Sequence, residues 1–169
     1  LTLVLSLLWI IFMILTMTQS GTIKTPESAV GYAQSAGWLH YANYINAALI
    51  TIFATAFFAG LDHFLKESTI HPFWRRIGFV FIPVYATLNL VVYLSQVTIL
   101  PSLAASLAIP AEAQFAAWII PMFTQTYQPS FIAFLNTLAY AVLGIPSIIF
   151  GILFTREFKM LKSAGILLA

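Results

Sequence analysis

Six of the seven Lys and Arg residues fall in two short clusters, Lys66/Arg75/Arg76 and Arg156/Lys159/Lys162, and the stretches on either side of each cluster are almost free of charge. That spacing restricts the fold more than any motif in the chain. A Lys, Arg or Asp at the centre of a membrane helix costs roughly 2.5 to 3.5 kcal/mol on insertion scales, so charge is excluded from lipid and collects in the connections. Composition agrees. Only 7% of residues are charged and the mean hydropathy is +0.96, whereas a soluble domain carries about 25% charged residues.

A hydrocarbon core about 30 Å thick takes about 20 mostly apolar residues rising 1.5 Å each. Four regions meet or nearly meet that length, at 1–17, 41–65, 77–100 and 131–155, and a fifth begins at 163. They are too long and too uniformly apolar for the strands of a closed barrel, which run to about ten residues and alternate in polarity. The expectation is an all-α, polytopic transmembrane helix bundle with four complete or nearly complete spans, the start of a fifth, and two interfacial helical segments on the outer side. Residues 1–169 then form a single transmembrane domain. Because the chain opens inside one apolar run and closes inside another, it reads as a fragment of a longer protein. The first run exceeds the apolar core of a signal peptide, roughly 7 to 15 residues, and lacks an Ala-x-Ala-like cleavage site, which favours a membrane helix.

Successive connections carry one, three, none and three basic residues. Basic residues are retained on the cytoplasmic side, which places 66–76 and 156–162 in the cytoplasm of a cell and 18–40 and 101–130 outside the cell membrane. Both outer connections open with helix-start signals, Thr25-Pro26-Glu27 and Pro110-Ala111-Glu112, in which Pro takes a first-turn position and Glu complements the helix dipole. In the second, Phe115, Trp118, Ile119 and Met122 recur at i, i+3, i+4 and i+7 and form one apolar stripe. Trp38, Tyr41, Tyr44, Trp118 and Tyr127 fit an outer aromatic belt, with Trp74 as the inner counterpart. His40, with no partner at ligand spacing, reads as an interfacial polar residue.

The net charge of +2 is accounted for by topogenic loop charges, so nucleic acid is not expected as a partner. The absence of Cys excludes disulfides, thiolate metal sites and thiol redox chemistry. No Gly-x-Ser-x-Gly elbow or phosphate-binding Gly-rich loop occurs. No cofactor is expected.

Three polar trios lie at i, i+4, i+11: Tyr85/Asn89/Gln96, Asn136/Tyr140/Ser147 and Thr51/Thr55/Asp62. At 100° per residue each occupies a sector of about 40°. Polar groups left unsatisfied in hydrocarbon cost several kcal/mol, so these faces are expected to turn toward the bundle interior. The leading reading makes Tyr85, Asn89, Gln96, Asn136 and Tyr140 the ligand-binding residues of a non-enzymatic module that binds or transports a small neutral or apolar molecule. Pro83 and Gly144-Ile145-Pro146 are expected to bend their spans, as broken helices do around midplane sites.

Two other readings compete. In one, the same residues are interhelical hydrogen-bond glue, worth about 0.6 kcal/mol per contact. The small-xxx-small pairs Ala56/Gly60 and Ser147/Gly151 then serve a structural or assembly subunit, bound to another membrane protein or to copies of itself. In the other, the chain is a membrane-embedded enzyme acting at the cytoplasmic face through Asp62, His63, Glu67 and His71. The last three stack at i, i+4, i+8 on a continued helix, a ligand set that suits zinc or iron. Asp62 is expected to pair with Arg75 or Arg76 or to relay protons. The lipid bilayer is a partner under every reading.

Overall fold

Helices account for all the regular structure in the computed structural model, which describes residues 2–20, 22–67 and 72–157. In chain order they are α1 (Thr2–Ser20), α2 (Pro26–Gln34), α3 (Trp38–Phe64), α4 (Pro72–Val97), α5 (Ile99–Ser106), α6 (Pro110–Phe123) and α7 (Phe131–Glu157), with a short 3₁₀ turn at Leu65–Glu67 after α3. No strand occurs among the described residues. Three helical stretches are long and apolar enough to cross a membrane, Trp38–Phe64, Pro72–Ser106 and Phe131–Arg156, as an integral membrane protein requires. The corresponding apolar stretch of α1, Val4–Thr16, is shorter. The region from 163, where a fifth span was expected to begin, lies outside the described residues.

The helix limits follow local chemistry more closely than hydropathy does. α4 begins at Pro72, five residues before the apolar run, and so carries Arg75 and Arg76 in its first two turns. Lipid excludes charge, whereas helix geometry does not, and Pro is well suited to a first-turn position where its missing amide hydrogen is not needed. The helix breaks at Thr98 because Pro101 offers no amide hydrogen to the carbonyl of Val97, and α5 follows at once. Pro83 and Pro146 likewise deprive the carbonyls of Phe79 and Val142 of a donor, yet α4 and α7 continue through both positions.

The chain divides into two compact units, to each of which α3, α4 and α7 contribute. One comprises the chain up to Thr51 together with Asn89–Thr137; the other comprises Ile52–Leu88 and the chain from Leu138. Within the first unit, α2 packs against α5 and α6, burying Ala29, Tyr32 and Ala33 with Leu100 and Ile120. The start of α2 is fixed by a reciprocal cap: the Ser28 amide donates to Thr25 Oγ1 at 3.2 Å and the Thr25 amide to Ser28 Oγ at 3.0 Å. The Glu27 carboxylate accepts from its own backbone amide and from the Thr25 hydroxyl, which together hold it below the usual carboxylate range. α6 starts at Pro110 as expected and turns Ala116, Ile120 and Pro121 inward. Its stripe of Phe115, Trp118 and Met122 is exposed, with Ile119 half-buried. A second cluster of this unit joins Tyr44, Ala47 and Ala48 of α3 to Val92 and Tyr93 of α4 and Ile132 of α7.

The second unit is held by Phe58, Leu65, Ile82, Phe150 and Leu153. A close helix approach occurs at Gly78, where an added Cβ would stand 3.2 Å from both Ile149 Cγ2 and Phe150 Cε2. The Ala56/Gly60 pair is not used in this way: both residues are exposed, and a Cβ at Gly60 would meet nothing within 4 Å.

Candidate functional site

Asn89 and Gln96 are the two fully enclosed polar side chains of the expected face, and Asn89 is the one without a partner. Asn89 has no exposed surface, and neither its amide nitrogen nor its amide oxygen has a hydrogen-bond partner. Both belong to the first unit, as do two further buried amide oxygens in the same condition, Asn43 Oδ1 and Asn136 Oδ1. Asn89 lies one turn before Val92 and Tyr93 on α4, and Asn136 one turn after Ile132 on α7, so the two flank the same apolar cluster. Burying an amide without a partner costs about 1 to 3 kcal/mol by mutational measures. Native proteins carry few such groups, and they recur where a ligand or water completes the bonding. None of the three asparagines titrates, so they offer amide donors and acceptors and no charge.

Gln96, on the same face of α4, has a different use. It is fully buried, and its amide nitrogen donates to the Phe123 carbonyl at 2.7 Å and to Ser95 Oγ at 3.2 Å. Its amide oxygen accepts from the Gln125 backbone amide at 3.1 Å. Both ends of the side chain are therefore committed to the turn after α6. Gln125 is held in addition by the Tyr44 hydroxyl, which donates to Gln125 Oε1 at 2.9 Å.

His40 and Tyr44 depart from the sequence expectation. His40 was expected to stand alone at an interface and Tyr44 to anchor in headgroups, yet both are buried, at 3% exposure each. The His40 Nε2 faces the Gln96 backbone carbonyl at 2.8 Å, and Nδ1 lies 2.8 Å from the Tyr32 hydroxyl. A carbonyl only accepts, so Nε2 carries the hydrogen; the neutral ring then accepts at Nδ1 from Tyr32. The interruption at Thr98 brings Gln96 into the last turn of α4, where carbonyls are open to donors from elsewhere. Tyr44 packs edge-on to His40 with ring centroids 4.8 Å apart. Burial pushes the Tyr32 hydroxyl up to about 12, with a smaller opposing effect from Tyr44. Trp38, Trp74 and Trp118 remain exposed, as interfacial residues would be.

In the second unit, Tyr85 is buried, but Tyr140, expected to face the bundle interior, is exposed at 46%; their ring centroids lie 6.4 Å apart. Asp62 pairs with Arg75, as one of its expected partners: the guanidinium donates to Oδ1 at 3.0 Å and to the Asp62 backbone carbonyl at 3.1 Å. His63 is exposed. The Glu67 side chain and His71 lie outside the described residues, and among the described residues no group of three or more His, Cys, Asp or Glu is placed to hold a metal. The structure thus brings Tyr85 together with Tyr140, isolates Asn89 in an apolar interior, and adds His40 and Tyr32. The sequence signal for the last two was weak, since a polar residue beside Trp38 and Tyr41 has the pattern of a membrane boundary.

No family model, curated protein or solved structure matches the chain.

Proposed function

We propose that the chain is a multi-pass membrane module that binds a small neutral molecule at the interior amides of Asn89 and Asn136 and passes it through the bilayer. One observation carries this reading: an asparagine with no exposed surface offers two amide hydrogens and a carbonyl oxygen that no protein group engages. Such a side chain matches a neutral ligand that both donates and accepts. Tyr85 precedes Asn89 by one turn of α4, and Tyr140 follows Asn136 by one turn of α7. Both belong to the second unit and lie outside the site proposed here, and Gln96 is committed to packing.

The same proposal assigns α1 as a fourth span, entering from the cytoplasm, and α2 and α6 as outer interfacial helices. The shared core of α2, α5 and α6 is in keeping with connections 18–40 and 101–130 lying on one side of the bilayer. The basic connections 66–76 and 156–162 are then cytoplasmic. An assembly role is a second reading, favoured by the exposed Ala56/Gly60 face, which leaves room for another helix.

The native chain has no Cys, which makes chemical accessibility a clean test. Asn89→Cys and Asn136→Cys are expected to react with a small, neutral methanethiosulfonate reagent in intact membranes, whereas a control at fully buried Ala139 does not. If both variants are as inert as the control, the asparagines are packing residues and the ligand reading fails.

A further inference from the structure

The turn between α2 and α3 encloses a second feature, independent of the asparagine face. A cavity of about 130 Å³ is lined by Thr16, Tyr32, Ser35, Ala36, Gly37, Leu39 and His40. We propose that it binds a small monovalent cation bearing N–H groups, an ammonium ion or a short primary ammonium.

The argument turns on which way the hydroxyl hydrogens point. The Gln96 carbonyl fixes the hydrogen of His40 on Nε2, so the Tyr32 hydroxyl must give its own hydrogen to Nδ1. Ser35 Oγ donates to the Tyr32 backbone carbonyl at 3.1 Å, and Thr16 Oγ1 to the Phe12 carbonyl at 2.7 Å. With these hydrogens committed inside the protein, Ser35 presents oxygen lone pairs, and the Tyr32 oxygen, which also has a hydrogen bond with Tyr44, keeps one more. A ligand meeting them must bring the hydrogens itself.

Electrostatics point the same way. Tyr32, Ser35, Ala36 and Gly37 sit at and just beyond the C-terminal end of α2, the negative end of its dipole, and the last turn of α2 holds no basic side chain. Cations are favoured there. The lining contains no carboxylate, which argues against a divalent ion, since hard divalent cations draw on carboxylate oxygens. A water molecule's share of liquid volume is about 30 Å³. The cavity is therefore matched to an ammonium with a little water, or to a primary ammonium of a few heavy atoms. Ser35 is exposed and gives a route in, while Tyr32 and His40 are buried.

The test is calorimetric titration of the purified full chain in micelles with ammonium chloride, with potassium chloride and tetramethylammonium chloride as probes of equal charge that lack N–H groups. Saturable binding of ammonium is expected, at least roughly tenfold tighter than either control, because a hydrogen bond to a charged group is lost in both. Tyr32→Phe and Ser35→Ala should each weaken ammonium binding by a similar factor. Ser35→Ala, on the exposed rim, decides the matter alone if Tyr32→Phe does not fold. Potassium binding as tightly as ammonium, absence of saturable ammonium binding, or unchanged affinity in the folded variants would each overturn the assignment.

Discussion

A buried histidine between a phenol and a backbone carbonyl has only one neutral bonding pattern, and each member of the Tyr32–His40–Gln96 chain depends on the others. Tyr32→Phe leaves Nδ1 unpaired in the interior and should lower unfolding stability by about 1 to 3 kcal/mol, read from denaturant or thermal unfolding in micelles. Gln96→Leu should cost at least as much, because it strips a partner from both the Phe123 carbonyl and the Gln125 amide. The pH dependence has a defined sign. Tyr32 is held at about 12, above the ordinary value of 10, so the folded state keeps its proton where the unfolded chain has lost it. Its contribution is complete below pH 10 and is lost as pH rises from 10 to 12. Unfolding curves of wild type and Tyr32→Phe should therefore converge over that interval; a constant gap through it would contradict the burial argument. Nothing in the residues around His40 could have revealed this chain of bonds, because its partners lie 8 and 56 positions away.

At the level of elements, what was legible from sequence was what is local. Thr25-Pro26 and Pro110 start helices where expected because capping and a proline at the first turn act over three or four residues. Thr25→Ala should cost about 1 kcal/mol and loosen α2 first, visible as faster amide exchange over 26–34. The α4 side of its close contact with α7 was not legible. Sequence pointed to Ala56/Gly60 and Ser147/Gly151 as tight helix approaches; the first is exposed, Gly151 is buried on α7 beside Ile149 and Phe150, and Gly78 of α4, which sequence did not single out, meets those two residues. Gly78→Leu should destabilise by about 1 to 3 kcal/mol through overpacking, while Gly60→Leu, with open space around it, should be near neutral in the isolated chain. A large loss at Gly60 would instead show that a partner helix covers that face.

For the whole molecule, the distribution of charge identified the class, because excluding ions from lipid acts on every residue of a span. It left open which polar residues inside the spans do work, since glue and ligand site use the same side chains. The structure shows how each is bonded. Gln96 is spent on packing, Asp62 on Arg75, and Asn89 on nothing within the protein. The account rests on that last residue, and its side chain can be observed without mutation. In ¹⁵N-labelled protein reconstituted in nanodiscs, the Asn89 side-chain amide, assigned by its loss in Asn89→Leu, is predicted to show magnetisation transfer from water or from a bound solute and measurable hydrogen exchange. An Asn89 amide that is protected and dry, bonded only to protein groups, would contradict the account.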